Sequence, residues 1–204
     1  MSDWETPPGD QAGADADLDR DLDFQQLHLK YQGRVYNLIL RMVGDPDEAM
    51  DLTQETFANA WRAWGRFRGD SRVFTWLYQI AYNNCKNWYK ARQRRRERES
   101  VSLDHPVDAE GGGVSREIPD WDAAPEQMLL DKEMQEQIRR AVDALPAEYR
   151  DILVLAQWED LPYEEIARIT GLTIPAVKTR LHRARQKVRQ RIEPYYRGWM
   201  GRSE

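Results

Sequence analysis

Apolar residues recur at three- and four-residue steps along most of this chain, the period of helices packed on a core. Leu27, Tyr31, Val35, Leu38, Ile39 and Met42 mark a first helix from about Phe24 to Val43, and Gly44 ends it. Asp45-Pro46-Asp47-Glu48 reads as the next helix start, with Asp45 as N-cap, Pro46 in the first position and Glu48 three residues after the cap. The second helix continues through Ala49, Leu52, Phe57, Ala60, Trp61 and Trp64, and Gly65 ends it. Its other face carries Asp51, Gln54, Glu55 and Asn59. After the loop Phe67-Arg68-Gly69-Asp70, a third helix starts near Ser71, with Phe74, Leu77, Tyr78, Ala81, Cys85 and Trp88 as its inner stripe. Trp76, Gln79, Asn83, Lys86, Asn87 and Lys90 share the opposite side.

The pattern breaks from Glu99 to about Ala124, where Gly111-Gly112-Gly113, Pro106, Pro119 and several acids read as a flexible linker. Helical spacing returns beyond Pro125. It predicts helices over Met128–Ala144, Ala147–Trp158, Pro162–Ile169 and Thr173 to about Ile192, with Thr170-Gly171 turning the chain before the last. A short helix, a glycine turn and a longer helix have the spacing of a helix-turn-helix. Ile166, Ala167, Ile169 and Leu172 are expected to hold the short helix against Val177, Leu181, Ala184 and Val188. The expected architecture is all-α: two small helical domains, residues 24–98 and 125–204, joined by the linker 99–124. A short tail closes the second domain, and its Tyr195, Tyr196 and Trp199 are expected to pack on that domain.

Charge sharpens this picture. The 204 residues carry a formal net charge of -5, but acids crowd the first two dozen positions and bases crowd Lys86–Arg98 and Lys178–Arg191. Residues 1–23 have too few apolar groups to bury and are expected to form a disordered acidic tail. Overall acidity therefore hides two basic patches, which suit nucleic acid. The single cysteine, Cys85, excludes a disulfide framework and fits a reducing cytoplasm. No apolar run is long enough for a membrane span, so no membrane contact is expected.

The two basic elements differ in chemistry. On the third helix, aromatic, amide and ammonium groups share one face and run out into Arg92, Arg94, Arg95, Arg96 and Arg98. Such a face can stack bases, read their edges and hold phosphates. On the last helix, Thr173 can cap the first turn, Thr179, Arg183 and Gln186 point outward, and Lys178 and His182 flank them. Those side chains suit base edges in a major groove, while Lys187, Arg189 and Arg191 suit phosphates. No acid interrupts the bases from Lys178 to Arg191, whereas an ordinary solvated helix alternates signs.

These elements, in this order, resemble a bacterial extracytoplasmic-function sigma factor. DLTQETFANAWRAW resembles the family's region 2.2, and FRGDSRVFTWLYQIAYNNCKNW resembles regions 2.3 and 2.4. LPAEYRDILVLAQWEDLPYEEIARITGL with IPAVKTRLHRARQKVR resembles region 4. The likeness covers roughly Leu27–Arg98 and Pro125–Arg191. It implies a protein that binds core RNA polymerase at the beta-prime clamp helices and the beta flap and directs it to promoter DNA. It also implies control by an anti-sigma factor.

By this resemblance, Asp51, Gln54, Glu55 and Asn59 fall on the polymerase-binding surface. Phe67, Arg68, Arg72, Trp76, Asn83, Lys86, Asn87 and Lys90 fall on the surface that captures and melts the minus-ten element, with Asn83 at a flipped base. Thr173, Lys178, Thr179, His182, Arg183 and Gln186 fall where the minus-thirty-five element is read. The family often has Ser where this chain has Pro162, so the usual side-chain cap is missing, and the helix is expected to begin with Pro in its first turn.

Two other classes compete with that reading. A helix-turn-helix regulator acting without polymerase would share the second domain, but it has no use for the Trp76 and Asn83 face beside a carboxylate-rich helix. An enzyme is disfavoured because no metal-ligand cluster, phosphate loop or nucleophile arrangement is present, and His28, His105 and His182 are scattered. Neither a cofactor nor a metal is expected.

Overall fold

The computed structural model describes residues 22–69, 71–100 and 125–200. Over these residues the chain forms seven helices and no strand: α1 (Phe24–Val43), α2 (Pro46–Trp64), α3 (Val73–Ser100), α4 (Pro125–Asp143), α5 (Ala147–Gln157), α6 (Tyr163–Thr170) and α7 (Ile174–Met200). The expected acidic tail, apart from Leu22 and Asp23, lies outside the described residues, as does the expected linker from residue 101 to 124.

Local chemistry sets most helix ends. Gly44 takes a left-handed backbone at φ 77° and its N–H donates to the Leu40 carbonyl, a conformation that costs glycine little. Asp45 Oδ1 then accepts from the N–H groups of Asp47 and Glu48 at 3.0 and 3.1 Å, so two of the four orphan donors of α2 are satisfied by one side chain. Asp23 belongs to the fold and not to the acidic tail. Its carboxylate accepts from Gln26 N at 2.8 Å while Gln26 Oε1 accepts from Asp23 N, a reciprocal capping box.

Four expectations shift. Helix α3 starts at Val73, two residues after Ser71. Pro162 stands just before α6 at φ -65°, in the cap position, and its carbonyl accepts from Glu165 and Ile166. Helix α7 does not stop near Ile192 but runs to Met200 with Pro194 inside it. Pro194 is exposed, so the carbonyl that loses its helical donor there can bond water. Tyr195 is 52% exposed and does not pack on the domain as expected; the side chains of Tyr196 and Trp199 lie outside the described residues.

Helices α1, α2 and α3 pack on one another, and α4, α5 and α6 each pack on α7. The inner stripe of α3 is Val73, Phe74, Leu77, Tyr78, Ala81, Tyr82 and Cys85. Trp88, expected there, is only partly buried, because its indole N–H reaches out to donate to Glu48 Oε2 at 2.7 Å. Tyr82 takes the inward place instead. In the second domain Ile166, Ile169, Val177, Leu181 and Ala184 are buried and Ala167, Leu172 and Val188 pack partly against them. Burial of each large side chain such as Leu77 or Leu181 contributes about 1.5–3 kcal/mol.

The two domains also pack on each other, α3 against α6 and α1 against α5, and their buried residues form one contiguous cluster. Polar clasps cross this junction. The Tyr78 hydroxyl donates to Glu159 at 2.5 Å and the Thr75 hydroxyl donates to Glu165 at 2.7 Å. Arg34 and Arg41 of α1 each lie 3.8 Å from the Glu159 carboxylate. Arg150 donates to the Met42 carbonyl at 2.7 Å, to the Leu145 carbonyl at 3.0 Å and to the Asp143 carbonyl.

Candidate nucleic-acid interface

The start of α3 is built from aromatic rings. Trp64 at the end of α2 stacks on Phe67 of the loop, with centroids 5.8 Å apart and ring planes 8° apart. Trp76 completes the trio, 4.9 Å from Phe67 and 5.8 Å from Trp64. The expectation that Trp76 stands free on the polar face is therefore corrected: its ring is half-buried and shared with the loop. The trio fixes the path of the loop, whose turn uses Gly69 at φ 74°. Arg68 is exposed, Arg72 is half-buried with its guanidinium 5.9 Å from the Phe74 ring, and Asp70 lies outside the described residues.

Beyond the trio, Gln79, Asn83, Lys86, Asn87 and Lys90 form an exposed row along one side of α3, and Arg92 to Arg98 extend it as exposed bases. Arg92 also lies 5.0 Å from the Trp88 ring centre, in reach of a cation–π attraction. The row is backed by a rigid interior. Asn84, next to Asn83 in sequence, is buried and donates to Thr56 Oγ1 at 3.1 Å while accepting from Asn59 at 3.3 Å. Cys85 is fully buried, and burial first, then the Asp151 carboxylate, pushes its thiol up. A thiol so placed stays protonated and unreactive.

On α2, Asp51, Gln54 and Glu55 are exposed together. Asn59 differs from them: its amide is committed at both ends, to Asn84 and to the Arg62 guanidinium at 2.8 Å. Two further residues belong to this outer face and escaped the sequence reading. Met50 is 50% exposed and Trp61 is 64% exposed. Both were legible as large apolar side chains close to the acidic row; counting Trp61 in the inner stripe hid it.

A second exposed row lies on α7. Lys178, Thr179, His182, Arg183 and Gln186 are all exposed within the first four turns, along with Lys187, Arg189 and Arg191. Thr173 caps the helix weakly, its hydroxyl accepting from Ala176 N at 3.4 Å. Lys178 Nζ lies 5.5 Å from the Tyr163 ring centre, which braces its stem against α6. Arg180 turns aside to Glu148 at 3.7 Å. Among the described residues no group of His, Cys, Asp and Glu could hold a metal ion, and no helix is long and apolar enough to cross a membrane.

Comparison with known proteins gives this arrangement its class. The Sigma-70 region 2 profile matches residues 27–95, and the Sigma-70 region 4 profile matches residues 135–188. The chain is 37% identical over 174 residues to the RNA polymerase sigma-H factor of Pseudomonas aeruginosa, covering 85% of this chain and 88% of that one. It is 36% identical over 174 residues to the ECF RNA polymerase sigma-E factor of Escherichia coli K12, with the same coverage. A solved structure of the sigma factor RpoE with the anti-sigma factor NepR from Bartonella quintana shares the fold at a TM-score of 0.61 and 24% identity, over 84% of this chain and 97% of that one. CnrH in complex with the cytosolic domain of CnrY shares it at a TM-score of 0.55 and 22% identity, over 84% of this chain and 88% of that one. The chain belongs to the extracytoplasmic-function family of RNA polymerase sigma factors.

Proposed function

We propose that this sigma factor divides its work between the two exposed rows. The first domain, residues 24–98, binds core polymerase and opens the promoter; the second, residues 125–204, reads the upstream element as duplex; and residues 99–124 link them. On α2, Asp51, Gln54 and Glu55 meet the beta-prime clamp helices, with Met50 and Trp61 adding apolar area and Asn59 acting from behind through Arg62. The second domain meets the beta flap. Asn83, Lys86, Asn87 and Lys90 hold the unpaired minus-ten strand beside the loop of Phe67, Arg68 and Arg72, and Trp76 stiffens that loop. Lys178, Thr179, His182, Arg183 and Gln186 enter the major groove of the minus-thirty-five element, with Thr173 at the helix start. The protein acts in the cytoplasm without catalysis of its own, under an anti-sigma factor.

One observation carries this reading: two exposed rows of different chemistry, amide-rich on α3 and basic on α7, sit on separate domains of one chain. Unpaired strands are captured by stacking and amide groups, and duplex is read by a helix in a groove. The test is promoter-directed transcription in vitro. Core polymerase with this protein should initiate at its promoter, and neither alone should. Promoter duplex binding by the isolated protein as tight as that of the complex would instead make it a regulator independent of polymerase.

A further inference from the structure

Asp151 is out of place. It sits on α5 among Ile152, Leu153, Val154 and Leu155, is 4% exposed, and its Oδ1 has no hydrogen-bond partner. A carboxylate buried this way is costly unless it is paired or neutral. Its field reaches across the domain junction: Tyr82, Cys85 and Tyr89 of α3 are all pushed up, by burial first and by the Asp151 carboxylate second. Among the described residues the cation acting on it is Arg150, whose hydrogen bonds go to the carbonyls of Met42, Leu145 and Asp143. Arg34 and Arg41 of α1 turn to Glu159, Glu165 of α6 accepts from Thr75, and Arg180 of α7 acts on Tyr82.

We infer that the packing of the second domain on the first is a proton-controlled latch, closed while Asp151 is a neutral acid and loosened when Asp151 ionises. In the closed form α3 touches α6 and α6 touches α7, each helix about 10–12 Å across. Elements named for positions thirty-five and ten lie about 25 base pairs apart, about 85 Å at 3.4 Å per base pair. On the promoter reading above, the two rows cannot span that distance until the junction opens, so the latch sets how much of the protein is ready to bind.

The sign follows from the burial. In the closed form the Asp151 pKa is raised to about 7, by burial, against 3.8 for the ordinary carboxylate. The closed form therefore binds more protons between those values, its advantage is full below the lower one, and it is lost as pH rises through the upper one. From pH 6 to pH 8 the ratio of closed to open molecules should fall roughly tenfold.

The test uses the full chain with cysteines placed at exposed Gln32 on α1 and Gln190 on α7, labelled for energy transfer; buried Cys85 stays unlabelled. Transfer is followed from pH 5.5 to 8.5, with circular dichroism confirming intact helices. Transfer should fall as pH rises in the parent and stay high and flat in Asp151→Asn. Glu159→Gln, which weakens the clasp without touching Asp151, should lower transfer at every pH and keep the slope. A flat parent, or a slope that survives Asp151→Asn, overturns the latch. A slope abolished by Glu159→Gln assigns the proton to Glu159 and overturns it equally. The readout is a distance within the chain, so it fails or succeeds separately from the promoter assignment.

Discussion

Helices α3 and α7 both carry exposed polar rows and each is packed against three other helices, yet their starts are secured differently. Helix α3 is gripped on its inner side by α1 and α2, through Thr75 by α6, and through Tyr78 by Glu159 in the connection between α5 and α6. Its start is pinned by the Trp64, Phe67 and Trp76 rings. Helix α7 has a weak cap and a long basic run in which Lys178, Arg183, Lys187, Arg189 and Arg191 are exposed. On the function proposed above, the difference follows the physical state of each target. An unpaired strand is floppy, so the protein must supply the rigid pocket. A duplex is already rigid, so a helix that fits its groove and matches its charge is sufficient.

The sharpest way to break this comparison is at Trp76. If the ring is structural, Trp76→Ala should cost about 2 kcal/mol, part of the 3–5 kcal/mol typical of a fully buried aromatic. Thermal unfolding would show it as a lower midpoint, with the loop of Phe67 loosened. An unchanged midpoint with defective promoter opening would restore Trp76 as a free stacking platform and erase the contrast.

A smaller effect is expected on α7. Arg183→Ala should lose about 1–3 kcal/mol of binding at one base position if its guanidinium reads a base edge. Arg189→Ala should weaken all sequences alike and flatten the salt dependence. A panel of single-base promoter variants separates the two, and uniform loss for Arg183→Ala would turn it into a phosphate contact.

The smallest effect on stability belongs to Asn83→Ala, which should stay within about 0.5 kcal/mol because Asn83 is exposed. It should nonetheless lose preference for one base on single-stranded oligonucleotides and leave duplex binding by α7 unchanged. A large stability loss would mean that Asn83 shares the interior work of Asn84.

Much of the fold was legible because its signals are local. Helical stripes, Gly44 and the Asp45-Pro46 start fixed α1 and α2 to within a residue. The exposed rows on α3 and α7 followed from the same periodicity. What escaped has no local signature. Trp88 and Tyr82 lie six residues apart, and the Trp88 indole donates to the Glu48 carboxylate, forty residues away. The Tyr78–Glu159 and Thr75–Glu165 clasps join residues 81 and 90 positions apart, beyond any periodic pattern. Asp151 sits in the helix predicted over Ala147–Trp158, and nothing in its neighbours announces a buried acid. Continuation of α7 past Ile192 was hidden by Pro194, which ordinarily marks an end.

Arg150 has one more consequence. Its guanidinium touches the last carbonyls of α1, through Met42, and those closing α4, through Asp143 and Leu145. Each helix C-terminus carries roughly half a negative charge from its aligned peptide dipoles. Two such ends brought together would repel, and the single fixed positive charge between them makes the junction close to neutral. Lysine has the same charge but no planar fork to span three carbonyls. If the domains part as inferred above, the cation leaves with its own domain, and the end of α1 keeps the neutral Tyr89 hydroxyl that donates to the Met42 carbonyl.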